Sequence, residues 1–290
     1  MPSRFTYLGS FLLIAGCGGA STSPANVPIA GTKPPVTHVV GLDLARSYDA
    51  ATNTVTVTLD GQDIVLSADA FRSQTGIIDI EAFSDGLWDT GSLPEFVAYR
   101  MISSSGQTSA KLNIRTSVAN VPGYSTISDA SFGSRYARHT NTEIPSSGTA
   151  TMHGRYIGAL SDDRLIPANA HANAHLAIYG DVELTVDFAE ESISGLISNR
   201  QVFEQSVPEF ETTIVDDLVL TKTDIANDGS YSAATSGGRH RPSATTSATG
   251  TYTGIISGAY ATETAGAVAV LHQNPGSTSR LWEHGVYVAQ

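Results

Sequence analysis

Two arrangements of chemistry-bearing side chains stand out in these 290 residues, and the first is a lone thiol. Cys17 is the single cysteine, so the chain has no disulfide framework and no second thiolate for a metal site. It follows Phe11-Leu12-Leu13-Ile14-Ala15-Gly16, an apolar run that closes on small residues, with one early cation, Arg4, and no acid before it. A basic flank, a short apolar stretch and a small-residue exit make an export signal, too short for a permanent membrane-spanning helix. The second arrangement is His171-Ala-Asn-Ala-His175. On a helix, imidazoles four residues apart share a face and could hold a metal or haem. Here they fall in an expected loop, where the rings need not converge, and no third ligand sits at a recognised spacing. Two solvated loop histidines are therefore the plain reading, and a haem or metal site the alternative.

The other candidates are weaker. His153, His272 and His284 lie in strand-like segments and read as half-buried, while His240 sits in a basic loop, Gly237-Gly238-Arg239-His240-Arg241-Pro242. No G-x-S-x-G, H-E-x-x-H or phosphate-cradling loop occurs, so no enzyme activity is expected. Asp162-Asp163 and Asp216-Asp217 are adjacent, and an extended backbone would throw each pair apart.

What must position these residues is a β-rich scaffold. Charged residues are only 15% of the chain. Gly, Ser, Thr and Ala are abundant, which suits strands and tight turns. Net charge is −12, and removing residues 1–16 costs one cation, leaving 15 cations against 28 acids. So acidic a surface repels nucleic acid and anionic headgroups.

Along the chain, residues 1–16 read as the signal, 17–38 as the modified cysteine and a flexible Gly/Ser/Pro-rich tether, 39–145 as a smaller β-rich domain and 146–290 as a barrel. In the first domain, strands are expected at Val39–Leu44, Thr54–Leu59, Gln62–Leu66, Ile77–Phe83, Phe96–Ser103 and Lys111–Arg115, with a short helix near Ser67–Phe71. Thr54-Val55-Thr56-Val57-Thr58-Leu59 alternates with period two, and Asp60-Gly61 suits a hairpin. The C-terminal part offers eight strand candidates: Thr149–Ile157, Asp181–Phe188, Ser192–Ser198, Leu218–Ile225, Ser230–Ala233, Gly250–Ala259, Gly266–His272 and Leu281–Ala289. Eight antiparallel strands can close a cylinder that side chains fill. Aromatic residues form no girdles, so the barrel is expected to face water, not lipid.

Two resemblances follow from these residues. Leu13-Ile14-Ala15-Gly16-Cys17 resembles the lipobox of bacterial lipoproteins, which implies cleavage before Cys17, diacylglycerol on its thiol and acylation (palmitate) of the new N-terminus. Gly18 after it suggests the outer membrane. Gly148 to Tyr156, Leu184-Thr185-Val186-Asp187-Phe188 with Ser192-Ile193-Ser194-Gly195-Leu196-Ile197, Gly250-Thr251-Tyr252-Thr253-Gly254, and Gly258 to Gly266 with Glu263 are together similar to barrel segments of transferrin-binding protein B and its relatives. That resemblance implies a surface lipoprotein with a handle domain before an eight-stranded barrel. It also implies a protein ligand or haem-carrying protein, and a lipoprotein translocon or TonB-dependent receptor as partner. Family receptors contact transferrin through lysine-rich loops; only Lys33, Lys111 and Lys222 occur here, so transferrin is not the expected ligand.

Read from the residues themselves, Gly154, Gly195, Gly254 and Gly266 relieve crowding at bends or close backbone approaches. Glu263 satisfies backbone donors or an arginine at a strand corner. Asp187 and Phe188 belong to the barrel motif that the resemblance implies. Recognition is expected in the connections Gly158–Ala174, Asn199–Thr213 and Thr235–Thr249. A haem or metal carrier using His171 and His175, or a structural envelope lipoprotein without soluble ligand, are the alternatives.

Overall fold

The computed structural model describes residues 29–41, 45–49, 51–52, 54–59, 62–69, 78–84, 96–121, 124–162, 165–167, 176–203, 213–239, 247–273 and 280–290. Ten strands precede the barrel: β1 (Ile29–Lys33), β2 (Val36–Gly41), β3 (Ala45–Asp49), β4 (Thr54–Leu59), β5 (Gln62–Asp69), β6 (Ile78–Ser84), β7 (Phe96–Ser103), β8 (Thr108–Val121), β9 (Tyr124–Arg138) and β10 (Thr142–Pro145). Ten follow: β11 (Thr149–Asp162), β12 (Leu165–Pro167), β13 (Leu176–Asp187), β14 (Ser192–Phe203), β15 (Thr213–Ile214), β16 (Leu218–Asp224), β17 (Ser230–Gly237), β18 (Ser247–Ser257), β19 (Glu263–Gln273) and β20 (Arg280–Ala289). A single 3-10 turn, Ala259–Ala261, joins β18 to β19 among the described residues.

The expected barrel is present. Eight strands run in the order β13-β11-β20-β19-β18-β17-β16-β14, all antiparallel, and β14 pairs with β13 to close the cylinder. Each of the eight candidate segments contributes one strand. Alternation sets which side faces in: along β13, Val182, Leu184 and Val186 are buried while Glu183 and Thr185 are exposed. The interior is filled by Met152, Leu184, Ile197, Leu220, Val270 and four tyrosines, Tyr156, Tyr231, Tyr252 and Tyr287. Outward residues such as Ser232, Ser236, Thr249 and Thr251 are exposed. Apolar inside and polar outside is the reverse of a membrane-spanning barrel.

β3 to β9 form a second sheet in sequence order, with β12 and β2 both alongside β9. Its β7–β9 side packs on the barrel wall. Val97, Tyr99 and Met101 of β7, and Ala110, Leu112 and Ile114 of β8, share one core with Ile157, Ala159, Ala265, Ala267, Val286 and Val288 of the barrel. The alanines let the two layers approach closely. At one end Arg138 stitches the seam, donating to the carbonyls of Pro34 at 2.8 Å, Ile256 at 2.8 Å and Asp228 at 3.2 Å.

Several expectations need correcting. Ser67, Ala68 and Asp69 continue β5 and pair with Ser84, Phe83 and Ala82, so no helix starts there. Residues 29–33, placed in the tether, pair with Thr142–Pro145. Main-chain hydrogen bonding requires no apolar side chain, so a polar segment can be ordered this way. β9 lacks a sequence signal because Ser125, Ser128, Ser131 and Ser134 break its apolar alternation; it is held along its length by β8. The three expected barrel connections are also shorter than anticipated, since β11 runs to Asp162, β14 to Phe203 and β17 to Gly237.

Candidate functional site

The barrel has two unlike ends. At one, 188–191, 225–229 and 258–262 join consecutive strands tightly. At the other end the strands are separated in sequence by longer stretches, 163–175, 204–217, 238–246 and 274–279, within which β12 and β15 are described. This second end, the rim, is where recognition is expected. Its described part holds an open pocket of about 610 Å3 lined by Asp216, Asp217, Gly237, Arg239, Ser247 and Ala248. Arg239 Nε donates to Asp216 Oδ2 at 2.7 Å, and Gly238 N–H donates to the Asp217 carbonyl at 2.7 Å.

Directly under the rim is a polar cluster enclosed by the barrel. Glu283 of β20 is fully buried, as is Arg200 of β14. Arg200 Nη2 donates to both Glu283 oxygens, at 2.6 and 2.5 Å, and Nη1 donates to the Asp216 carbonyl at 2.5 Å. Tyr156 donates to Glu283 at 2.6 Å, and His272 Nε2 lies 2.9 Å from its other oxygen. Burial alone pushes the Glu283 carboxyl up, but Arg200 and the bonds with His272 and Tyr156 outweigh it and bring it down to about 2. Burial and the neighbouring carboxylate push the Tyr156 hydroxyl well up, so it stays a donor. Charge and hydrogen bonds on Glu283 are thus matched within the cylinder.

The sequence pattern held a signal for this cluster. Glu283 shares strand parity with Gly285 and Tyr287, so an acid stands on the inward side of β20. Its partner was not deducible, because Arg200 comes from a strand more than eighty positions away in sequence.

The singled-out motif residues have plain structural places. Asp187 accepts from the N–H groups of Ala189 and Glu190, at 3.0 and 3.1 Å, and so caps the turn after β13. Phe188 then folds into the barrel core. A Cβ on Gly154 would lie 1.9 Å from the Val288 carbonyl, and one on Gly195 would lie 2.4 Å from that of Glu183, so both permit close strand approach. Gly254 and Gly266 also clear aromatic rings: a Cβ there would strike Tyr231 and Tyr287, and at Gly266 the Thr253 carbonyl as well, at 2.2 Å. Glycine faces give the tyrosines room to lie across the sheet. Glu263 accepts from the hydroxyls of Ser105 and Thr108 of the second sheet, not from backbone or arginine, because the start of β8 crosses its corner.

His153 is exposed, 3.5 Å from Glu183, and not half-buried as expected, since it takes the outward parity of β11. His284 stacks on Phe132 with ring centroids 4.3 Å apart. Cys17, His171, His175 and His240 lie outside the described residues. Among the described residues no group of three or more His, Cys, Asp or Glu is arranged to hold a metal.

No family model matches the chain, and no curated protein matches it. Among solved structures it is similar to intact Ap-TbpB with its N and C lobes, at 12% identity over 89% of this chain and 46% of that one, TM-score 0.38. It is likewise similar to a double mutant of the vaccine antigen Transferrin Binding Protein B from Haemophilus parasuis Hp5, at 12% identity, 89% and 44% coverage and TM-score 0.38. A single mutant of that antigen gives 11% identity, 85% and 66% coverage and TM-score 0.29. The chain spans less than half the length of the first two.

Proposed function

We propose that this chain is an outer-membrane lipoprotein, anchored through Cys17, that binds a protein or solute ligand with its barrel rim. One observation carries the reading: the N-terminal entry and the rim lie at opposite ends of the barrel. β1 pairs with β10, which leads directly into the start of β11 at the tight-turn end. Arg138 fastens the Pro34 carbonyl to that same end through Ile256 and Asp228. A lipid on Cys17 would therefore pull from the end away from the long connections, leaving the rim facing outward. The filled interior leaves recognition to surface loops.

The test has two parts. Globomycin should cause precursor to accumulate, and Cys17→Ser should abolish fatty-acid labelling; unchanged processing would end the anchor reading. Cells displaying the chain should capture its ligand, and replacing 238–246 and 274–279 by Gly/Ser segments should abolish capture. Equal capture by both forms would remove the rim from the mechanism. The haem alternative is read separately: a Soret shift that is lost on joint His171→Ala and His175→Ala substitution supports it, and no shift in the parent chain ends it.

A further inference from the structure

We propose that Arg200 is an internal pin that holds the rim in shape from inside the barrel, making it a positioning residue for the recognition face. This rests on the reading of the rim as the binding surface. The guanidinium joins the buried carboxylate of Glu283 to the main chain of the rim. Nη2 holds Glu283, and Nη1 holds the Asp216 carbonyl at 2.5 Å. A point charge could satisfy Glu283, but only a planar fork reaches both acceptors at once.

The surroundings are shaped for this side chain. Its stem crosses Gly180, where a Cβ would come within 3.1 Å of Arg200 Cγ. Its head passes beneath Gly238, where a Cβ would sit 3.1 Å from Nη1. Gly237 and Gly238 both adopt left-handed φ, 75° and 74°, which lets the chain fold over the guanidinium without strain. Glu283 is itself fixed by Tyr156 and His272, so the pin has a rigid seat.

From Asp216 the constraint spreads through the pocket lining. Asp216 N–H donates to the Arg239 carbonyl at 3.3 Å, and its carboxylate accepts from Arg239 Nε at 2.7 Å. Val215 N–H donates to the carbonyl of Arg200 at 3.0 Å, and Gly238 N–H to that of Asp217 at 2.7 Å. Of the six lining residues, Asp216 thus stands one hydrogen bond from the pin and Arg239 two, and Asp217 follows Asp216 along the chain.

Amide exchange followed residue by residue in the whole chain tests this. Two variants are compared with the parent: Arg200→Lys, which keeps a cation beside Glu283 but loses the fork, and Arg200→Met with Glu283→Gln. The double variant removes both charges and leaves an amide that still meets Tyr156 and His272. In both, exchange at Val215, Asp216 and Gly238 should quicken at least tenfold while Val182 and Val268, in mid-barrel, keep their protection. Parental rates at the rim in either variant would overturn the proposal. So would an equal loss of protection at rim and mid-barrel, which would make Arg200 a general stability element. No ligand enters the readout, so this result stays separate from the capture experiment that tests the rim as a binding face.

Discussion

Adding one methyl group at Gly285 tests the view that glycines inside this barrel exist to seat tyrosine rings. A Cβ there would lie 2.2 Å from Tyr156 Oη and 2.3 Å from Cε2 and Cζ. The ring has no free side to move to. Gly158 leaves room only for the hydroxyl it already faces, with a Cβ site 2.5 Å from Oη, and Ile178 closes the remainder. In Gly285→Ala the ring must swing away and give up its 2.6 Å bond to Glu283. Overpacking in a dense core costs about 1–3 kcal/mol. Losing a hydrogen bond to a charged group costs about 1.5–3 kcal/mol more. The expected destabilisation is therefore about 2.5–6 kcal/mol.

Urea unfolding followed by circular dichroism reads this as a lower midpoint at unchanged slope. The decisive variant is the double one. Tyr156→Leu removes the ring and the hydroxyl, so Gly285→Ala in that background meets no obstacle and should cost less than about 1 kcal/mol. Additive costs across the four-member cycle would refute the argument, because they would mean that the methyl and the ring do not meet.

Two other outcomes follow from buried ionisable groups. Burial against Phe132 pushes His284 down to about 4, only partly opposed by Glu283. The unfolded chain therefore takes up this proton first as pH falls. Stability is full above about 6.5, declines between 6.5 and 4, and loses about 3 kcal/mol in total; His284→Phe should flatten that part of a pH series of urea midpoints. Glu283→Gln alone leaves the buried Arg200 without its counter-charge and should cost about 3–5 kcal/mol, whereas adding Arg200→Met should restore part of it, as measured by the same urea midpoints.

The barrel was legible in the sequence because its strands carry both halves of the period-two signal. In β13 every second residue must enter a dry interior and every other one must face water, so Val182, Leu184 and Val186 alternate with Glu183 and Thr185. β9 carries only part of that signal. Phe132 and Tyr136 reach the seam, but the serines before them leave no apolar pattern, and its ladder to β8 is invisible to composition. The helix expected near Ser67 failed for a related reason: local preference there is weak, and pairing of β5 with β6 decides. The polar cluster needed three-dimensional closure. Glu283 has a parity signal with Gly285 and Tyr287 on β20, while nothing in the sequence ties Arg200 to it.

A closed cylinder of eight strands could serve as a container or as a strut, and its contents decide between them. Four tyrosines occupy the interior, and their hydroxyls are engaged within it: Tyr231 with Thr264 at 2.5 Å and Tyr287 at 3.0 Å, Tyr252 with the Thr221 carbonyl at 2.5 Å, and Tyr156 with Glu283. Such rings give a stiff core, since each is fixed at both its face and its polar tip. Arginine then marks each end. Arg138 gathers three carbonyls where the chain enters, and Arg200 fastens the opposite rim to Glu283. A stiff core with its ends tied in this way transmits position from the entry to the rim. On the proposed reading, that is what a binding surface held away from its anchor requires, and a ligand-filled barrel would not provide it.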